Sequence, residues 1–508
     1  MAEQYDTQEM EVSNSSFQSY ESSTMNVKEN VAGNDEGEDY EIMNQQLSLL
    51  MREATTDELS EINTAPLFTY PILKHAQELA ASASTPPFPQ YGLLAGDAQN
   101  LQEIPSQDPR IFYNVAAPAS TFICGSQGSG KSHTLSCILE NCLIQSDTLG
   151  CLPHPLTGIV FHYDDYASDS NVNPTLIKKL DNVTVEALRL DQADLNTKRM
   201  LELMAFDRTQ PLYAQVVQRI LRDMRLGQQN LLGQFNYYQF TQKLDAEQLS
   251  SDQRRGLRQR LDLLQSFMVP KQVNPFSRRE EVERLGTDWT PKAGELLIVD
   301  LSCPCVTASM ACALFNICLS IFLAQGSSLG RIIALDEAHR YMGDTSDCQV
   351  LTDSLLAAIR FQRHLGARIV ISTQEPTISP KLLDLCSITI VHRFSSPDWL
   401  NVLTKHLAGI SKLSKVNSAD SMGSDEQDEA DHHGLLGISV SSEDPILDLF
   451  RQIVELRTGE ALVFAPSAIT SLEKQGLKVM PRKLAHNVLR VFMRARITAD
   501  GGRSIMAS

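Results

Sequence analysis

The chain is poor in aromatic residues, which make up 6% of it with only two tryptophans, and its 44 basic residues are outnumbered by 62 acidic ones. It also lacks any run of about 18 apolar residues, which excludes a transmembrane helix. Acids stand near the N-terminus where a secretory signal would carry basic and apolar residues. Its ten cysteines lie mostly inside apolar segments (Cys124, Cys137, Cys142, Cys312, Cys318), with only Cys303 and Cys305 closely paired. That distribution fits packing and excludes a disulfide framework or a zinc site. The expectation is a soluble, intracellular protein with no membrane partner, cytoplasm and nucleus both open.

A net charge of −18 over 508 residues looks hostile to nucleic acid, but most of it is concentrated in two segments. Residues 1–62 carry −13 and residues 416–445 carry −8, leaving the remainder at +3. The body is therefore near neutral, and acidity does not rule out a polyanionic partner. Both segments are poor in aliphatic residues and rich in Ser, Asn and acids, so they cannot offset their ordering entropy. Residues 1–62 read as a disordered acidic tail, 63–108 as an irregular, Pro-rich lead-in, and 109–495 as the main domain, with an acidic disordered loop at about 416–445 and a tail at 496–508. His432 and His433 read as a solvated pair in that loop, since no Cys or His completes a metal set.

What is present is concentrated at Ile123–His133, ICGSQGSGKSH. Gly125, Gly130, Lys131 and Ser132 fit GxxxxGK[ST], between an apolar strand (Thr121–Cys124) and a helical pattern (Leu135, Ile138, Leu139, Cys142, Leu143). Glycines let backbone N–H groups converge on phosphate oxygens, and the helix behind directs its positive end at the same anion. The expected phosphate contacts are Gly125, Ser126, Gln127, Gly128, Ser129, Gly130, Lys131, Ser132 and His133. Lys131 would bridge the terminal phosphates and Ser132 would help hold Mg²⁺.

Two later stretches complete the chemistry. RIIALDEAHRYM delivers Asp336 at the end of an apolar strand, where a nucleotide's Mg²⁺ would sit, and Glu337 next to it, placed to polarise a water. Phosphorylating a small molecule needs no water-activating acid, so the pair points to hydrolysis of the γ-phosphate. ARIVISTQEP ends in Thr373 and Gln374, and an amide there can sense the γ-phosphate and orient the attacking water.

Apolar, β-branched runs at 158–163, 183–190, 295–302, 331–337, 368–374 and 388–394 suit strands covered on both faces. The fold expected is α/β, a mostly parallel central sheet flanked by helices, with a helical insertion at about 199–268. That insertion holds Arg219, Arg222 and Arg225 at helical spacing, then Arg254, Arg255, Arg258 and Arg260. Such clusters can track phosphates or serve as a solvated helix face. Phe235, Tyr237, Tyr238 and Phe240 offer base stacking or core packing.

The order GSQGSGKS, VDLS, ALDEAH and IRFQRHLGARIVISTQEPTIS resembles the HerA/FtsK branch of the RecA-like P-loop ATPases (ASCE class) over roughly residues 110–410, with GEALVFAPSA (459–468) similar to that branch's closing strand. HRFSSPDWL and RITADGG are most similar to uncharacterised fungal P-loop ATPases. The resemblance implies ATP and Mg²⁺ as ligands, Lys131 and Ser132 as phosphate and metal contacts, Asp336 as the second metal-shell carboxylate, Glu337 as catalytic base and Gln374 as polar sensor. It implies Arg363 as an arginine acting on a neighbouring subunit's nucleotide, with Arg360 and Arg393 as competitors, and hence a homo-oligomeric ring, a hexamer in the family. DNA translocation or unwinding is the activity it suggests. A regulatory ATPase that remodels protein complexes without nucleic acid is the alternative. The family's archaeal members carry an N-terminal β-barrel, none is expected here, and the 205-residue separation of Lys131 and Asp336 exceeds the family's usual spacing.

Overall fold

A computed structural model of the protein describes residues 46, 54–81, 86–101, 108–164, 188–203, 211–231, 235–273, 286–303, 305–326, 328–406, 445–475 and 478–498. Met1–Asp57 forms a unit of its own, of which Gln46 and Ala54–Asp57 are described as helical; everything below concerns the unit Glu58–Ser508.

Its described strands are β1 (Leu67–Thr69), β2 (Tyr91–Asp97), β3 (Arg110–Asn114), β4 (Ser120–Cys124), β5 (Gly150–Cys151), β6 (Thr157–His162) and β7 (Leu296–Asp300). They continue with β8 (Arg331–Leu335), β9 (Ala367–Thr373), β10 (Ile388–Val391), β11 (Glu460–Phe464), β12 (Ile469–Gln475), β13 (Lys478–Lys483) and β14 (Leu489–Met493). All fourteen form one sheet in the order β13-β12-β1-β3-β2-β14-β11-β10-β4-β9-β8-β6-β7, with β5 beside β2. The fold is α/β and the sheet is mixed. Six strands from β10 to β7 run parallel, whereas β11, β14, β2, β3 and β1 follow one another antiparallel. "Mostly parallel" therefore describes only half of it.

The parallel half follows from composition. β4, β8, β9 and β10 are buried at every residue, as unbroken apolar runs must be when helices cover both faces. On one face, the helix Lys131–Leu143 packs Leu135, Ile138 and Leu139 against Ile123, Ile332 and Val370. On the other, Phe122, Phe161 and Ile371 meet the helix Ala308–Ala324 and helices of the insertion. Those are Thr197–Leu203, Pro211–Leu231, Tyr237–Asp245 and Ser251–Phe267. Of the run 183–190, residues 183–187 lie outside the described residues and Leu190 makes only an isolated bridge to Met268.

The lead-in at 63–108 is not irregular. It supplies β1, β2 and the helix Tyr70–Leu79, held by an aromatic cluster in which Phe68 stacks on Phe88 at 3.8 Å and lies 5.7 Å from Phe112. A three-residue strand and a glycine-bearing one carry too little periodicity to be read in isolation. The expected tail 1–62 also ends in structure, because the helix Ala54–Thr64 buries Ile62 completely. The rest of that tail, apart from Gln46, lies outside the described residues, as do 407–444, which contain nearly all of the acidic loop and both His432 and His433.

Residues past β14 are strapped to the helix Lys131–Leu143. Arg494 donates to Glu140 at 2.7 Å, to the Leu93 carbonyl at 2.7 Å, and to the Cys137 carbonyl and Asn141 side chain at 3.0 Å each. Thr498 donates its N–H to Glu140 at 2.9 Å, and its hydroxyl does so too. Of the tail 496–508, the first three residues thus belong to the fold; 499–508 lie outside the described residues. Burial pushes the Glu140 carboxyl up, but the Thr498 donors and the Arg494 guanidinium outweigh it, so its pKa falls below the ordinary 4.5. The resulting stabilisation is full above pH 4.5 and is lost as pH drops through the lower folded value. Arg494→Ala, which leaves Glu140 buried without its cation, is expected to cost about 3–5 kcal/mol at neutral pH. A urea titration at pH 7 and in acid measures this, with the deficit shrinking in acid as Glu140 protonates; equal deficits at both pH values would contradict it.

Candidate active site

β4 ends in a loop that only glycine can build. Gly125, Gly128 and Gly130 have φ of 153°, 72° and 115°. A Cβ on Gly125 would lie 2.7 Å from His392 Cβ, so space and angle both demand glycine there. Gln127 and Gly128 form the exposed tip. The loop is closed from below: the Ser126 N–H and hydroxyl both donate to the Arg393 carbonyl, at 2.9 and 2.8 Å, and the Ser129 hydroxyl donates to the Ser126 carbonyl at 2.7 Å. The helix begins at Lys131, so its first-turn N–H groups lack intrahelical acceptors and open at the loop.

Lys131 is 4% exposed, and its ammonium folds back to donate to the Ser126 carbonyl at 3.1 Å. Burial lowers its pKa, while the charges of Glu337 and Asp336 act against that shift. The sheet explains why these groups share one field. Cys124 pairs with Thr373 and Leu335 with Ile371, so β4, β9 and β8 end side by side.

Asp336 is 3% exposed, and its Oδ1 is buried with no hydrogen-bond partner among the described residues. Its Oδ2 lies 3.7 Å from Nδ1 of His162, an ionic contact too long for a hydrogen bond. Burial depresses the His162 pKa, but Asp336, Asp300 and Asp164 outweigh it and raise the value. An orphaned, buried carboxylate oxygen is costly. Mg²⁺, which takes oxygen ligands and keeps several waters, fits that vacancy of partners, with Ser132 exposed on the helix's first turn as a second donor.

Glu337 adopts φ 47° and ψ 44°, a left-handed conformation that costs a glutamate about 1–3 kcal/mol. Its Oε2 accepts a hydrogen bond from the Gln374 amide at 3.2 Å. His339 Nδ1 is 3.4 Å from the same oxygen and also accepts from the Gln374 backbone N–H at 3.4 Å. Burial lowers the His339 pKa, which favours a neutral ring with Nδ1 as acceptor. In that form Nδ1 has no proton to give Glu337, so the carboxylate is oriented by Gln374.

The arginines divide by position. Arg393 lends the loop its carbonyl and exposes its side chain. Arg360 and Arg363 are exposed before β9 begins, whereas Gln374 follows its end. Seven residues of strand at ~3.3 Å each put about 23 Å between those ends, several times an arginine's reach. In the insertion, Arg260 makes a bidentate pair with Asp347 at 3.0 and 3.2 Å, and Arg219 pairs with Glu247 at 2.6 Å. Phe235, Tyr237 and Phe240 are buried, which removes them as a stacking platform. The His133 ring is bonded to the Arg494 carbonyl at 2.7 Å, so it serves the strap and leaves only its backbone N–H for a phosphate.

Three histidines near these groups, His162, His339 and His392, were not singled out from the sequence. His339 stands two residues past Glu337 in DEAH and was visible there. His162 and His392 each end an apolar run, a weak signal until strand order places the first beside Asp336 and the second beneath the loop. No cluster of metal-binding side chains occurs among the described residues, Cys303 and Cys305 included, and no described helix is long and apolar enough to cross a membrane.

No protein-family model matches the chain, and no curated protein does. Among solved structures it is similar to VirB4 of Thermoanaerobacter pseudethanolicus, at 11% identity and a TM-score of 0.41, covering 79% of this chain and 96% of that one. It is similar to the plasmid coupling protein TrwB in complex with ADP and Mg²⁺, at 14% identity and a TM-score of 0.39, over 75% and 86%. It is also similar to the genome-packaging NTPase B204 of Sulfolobus turreted icosahedral virus 2 in complex with AMPPCP, at 9% identity and a TM-score of 0.27, over 68% and 92%. Likenesses this distant assign the chain no activity, ligand or partner.

Proposed function

We propose that this chain is an ATP-hydrolysing P-loop motor of the RecA-like, HerA/FtsK kind. The observation that carries the reading is a buried lysine at the mouth of a glycine loop in the same electrostatic field as a carboxylate with one oxygen unpaired among the described residues and a second carboxylate aligned by a glutamine. Loop N–H groups and Lys131 bind the β- and γ-phosphates, Lys131 exchanging the Ser126 carbonyl for phosphate oxygens. Ser132 and Asp336 would hold Mg²⁺, which supplies neutralisation of phosphate charge. Glu337 takes a proton from the water that attacks the γ-phosphorus as the bond to the bridging oxygen breaks, and Gln374 orients both. Arg363, beyond reach of its own loop, acts on a neighbour's nucleotide and makes the working form a ring, a hexamer by the resemblance.

DNA translocation is the leading activity, carried by the exposed Arg222, Arg225, Arg254, Arg255 and Arg258. Remodelling of protein complexes without nucleic acid is favoured by the engagement of Arg219 and Arg260 in internal ion pairs.

Three experiments test these readings. Lys131→Ala is expected to weaken ATP binding at least tenfold in equilibrium titration, and Glu337→Gln to retain binding while phosphate release falls about 100-fold or more; near-normal values in either defeat the assignment. Mixing Arg363→Ala with Glu337→Gln subunits should recover part of the activity at mixed interfaces, and none at any ratio in confirmed mixed rings excludes action in trans. DNA should raise ATP turnover of the wild-type chain and do so less at high salt, whereas turnover indifferent to DNA selects the protein-remodelling reading.

A further inference from the structure

His392 follows the last residue of β10 and is fully buried. Its backbone N–H donates to the Cys124 carbonyl at 2.8 Å, which fixes it directly beneath the start of the loop. Nδ1 lies 2.9 Å from the Glu460 carbonyl, and Nε2 lies 2.9 Å from the Thr134 hydroxyl. A carbonyl only accepts, so Nδ1 carries the ring proton. Burial lowers the His392 pKa to about 4, with the charges of Lys131 and His133 adding to the effect, so at neutral pH Nε2 is bare and accepts the Thr134 hydroxyl proton.

The same side chain meets both ends of the loop. A Cβ on Gly125 would stand 2.7 Å from His392 Cβ, and one on Gly130 would stand 3.5 Å from ring atoms Cε1 and Nδ1. Thr134 is itself tied to Gly130 by the first helical hydrogen bond, at 3.0 Å. The next residue, Arg393, supplies the carbonyl that takes both Ser126 donors. Residues 392 and 393 therefore form the floor on which the loop rests. A bridge from β11 to the helix across that floor needs one donor and one acceptor on opposite sides of one side chain. Leucine fills the space without bridging, and glutamine can span it.

We infer that His392 is a positioning residue for phosphate binding, its ring holding the loop's end glycines and the first turn of the helix Lys131–Leu143 in one preset geometry. The inference rests on the phosphate-binding reading of the loop. Preset donors cost little reorganisation when the ligand arrives, so their loss falls on binding. His392 touches none of the reacting groups, so chemistry at saturation is spared.

The test is isothermal titration of AMP-PNP with Mg²⁺ into the full chain, together with steady-state ATPase kinetics and thermal melting. His392→Leu is expected to raise Kd and KM about tenfold, with kcat within about threefold of wild type. Thr134→Val is expected to act in the same direction, and the double variant to cost clearly less than the two single effects combined, because both remove one bridge. His392→Gln should restore Kd to within about threefold. Should His392→Leu fail to fold, Thr134→Val and His392→Gln carry the comparison. Kd within twofold of wild type in His392→Leu, or in Thr134→Val where His392→Leu does not fold, overturns the inference, as does a fall in kcat equal to the rise in KM without rescue by glutamine. A wild-type chain that does not bind AMP-PNP overturns the loop reading and this inference with it, a result distinct from wild-type binding that the variants leave unchanged.

Discussion

The ammonium of Lys131 sits where β4, β8 and β9 end together, buried enough that desolvation works against its charge while Glu337 and Asp336 oppose that loss. Isolated, any of these charges would be expensive to bury. Held at the ends of hydrogen-bonded neighbouring strands, they share one small volume without side-chain chemistry having to search for it. Parallel pairing is what makes this possible, since it delivers the C-terminal ends of β4, β9 and β8 to one edge. In an open α/β sheet that edge is where ligands bind.

The state of the site follows from that placement. Lys131 rests on the Ser126 carbonyl, one Asp336 oxygen has no partner among the described residues, and Glu337 is held in a left-handed backbone conformation and aligned by Gln374. Each is a local cost that the surrounding sheet and helices sustain. A polyanion with its cation would relieve the first two at once. The third keeps the carboxylate poised, with His339 reporting on the same glutamine through its backbone N–H.

Legibility in the sequence tracked how local each determinant is. STFIC, RIIAL and ARIVIST are short, unbroken and fully buried, so composition alone marks them as strands covered on both faces. The glycine loop and the Asp-Glu turn announce their chemistry through residue types at fixed spacing. The antiparallel half does not, because β1 has three residues, β2 is interrupted by glycines, and β12 and β14 join the sheet through β1 and β2, far away in the chain. Arginines in the insertion show the same limit. Arg260 and Arg255 look alike in RRGLRQR, yet one is spent on Asp347 across 87 residues and the other is exposed. His392 ends an apolar run and reads as an ordinary polar stop until β11 and the helix Lys131–Leu143 are folded around it.

The two halves of the sheet thus divide the work across the loop. On the β9 and β8 side stand Gln374, Glu337 and Asp336, the groups that the proposed function assigns to the γ-phosphate and its metal. On the β10, β11 and β14 side stand groups that hold the loop and its helix still: His392 and Arg393 below, Arg494 and Thr498 strapped over Glu140. A helix whose first turn must aim N–H groups at an anion cannot drift against the strand that carries it, since hydrogen bonds weaken steeply once bent. One face of that helix is packed against the sheet by apolar contacts, which resist separation but resist sliding poorly. The directional bonds from Thr134, Glu140 and Asn141 to three separate parts of the chain supply the resistance to sliding. On that view β10 and the antiparallel strands hold the loop and its helix in place against the parallel strands that carry Asp336, Glu337 and Gln374.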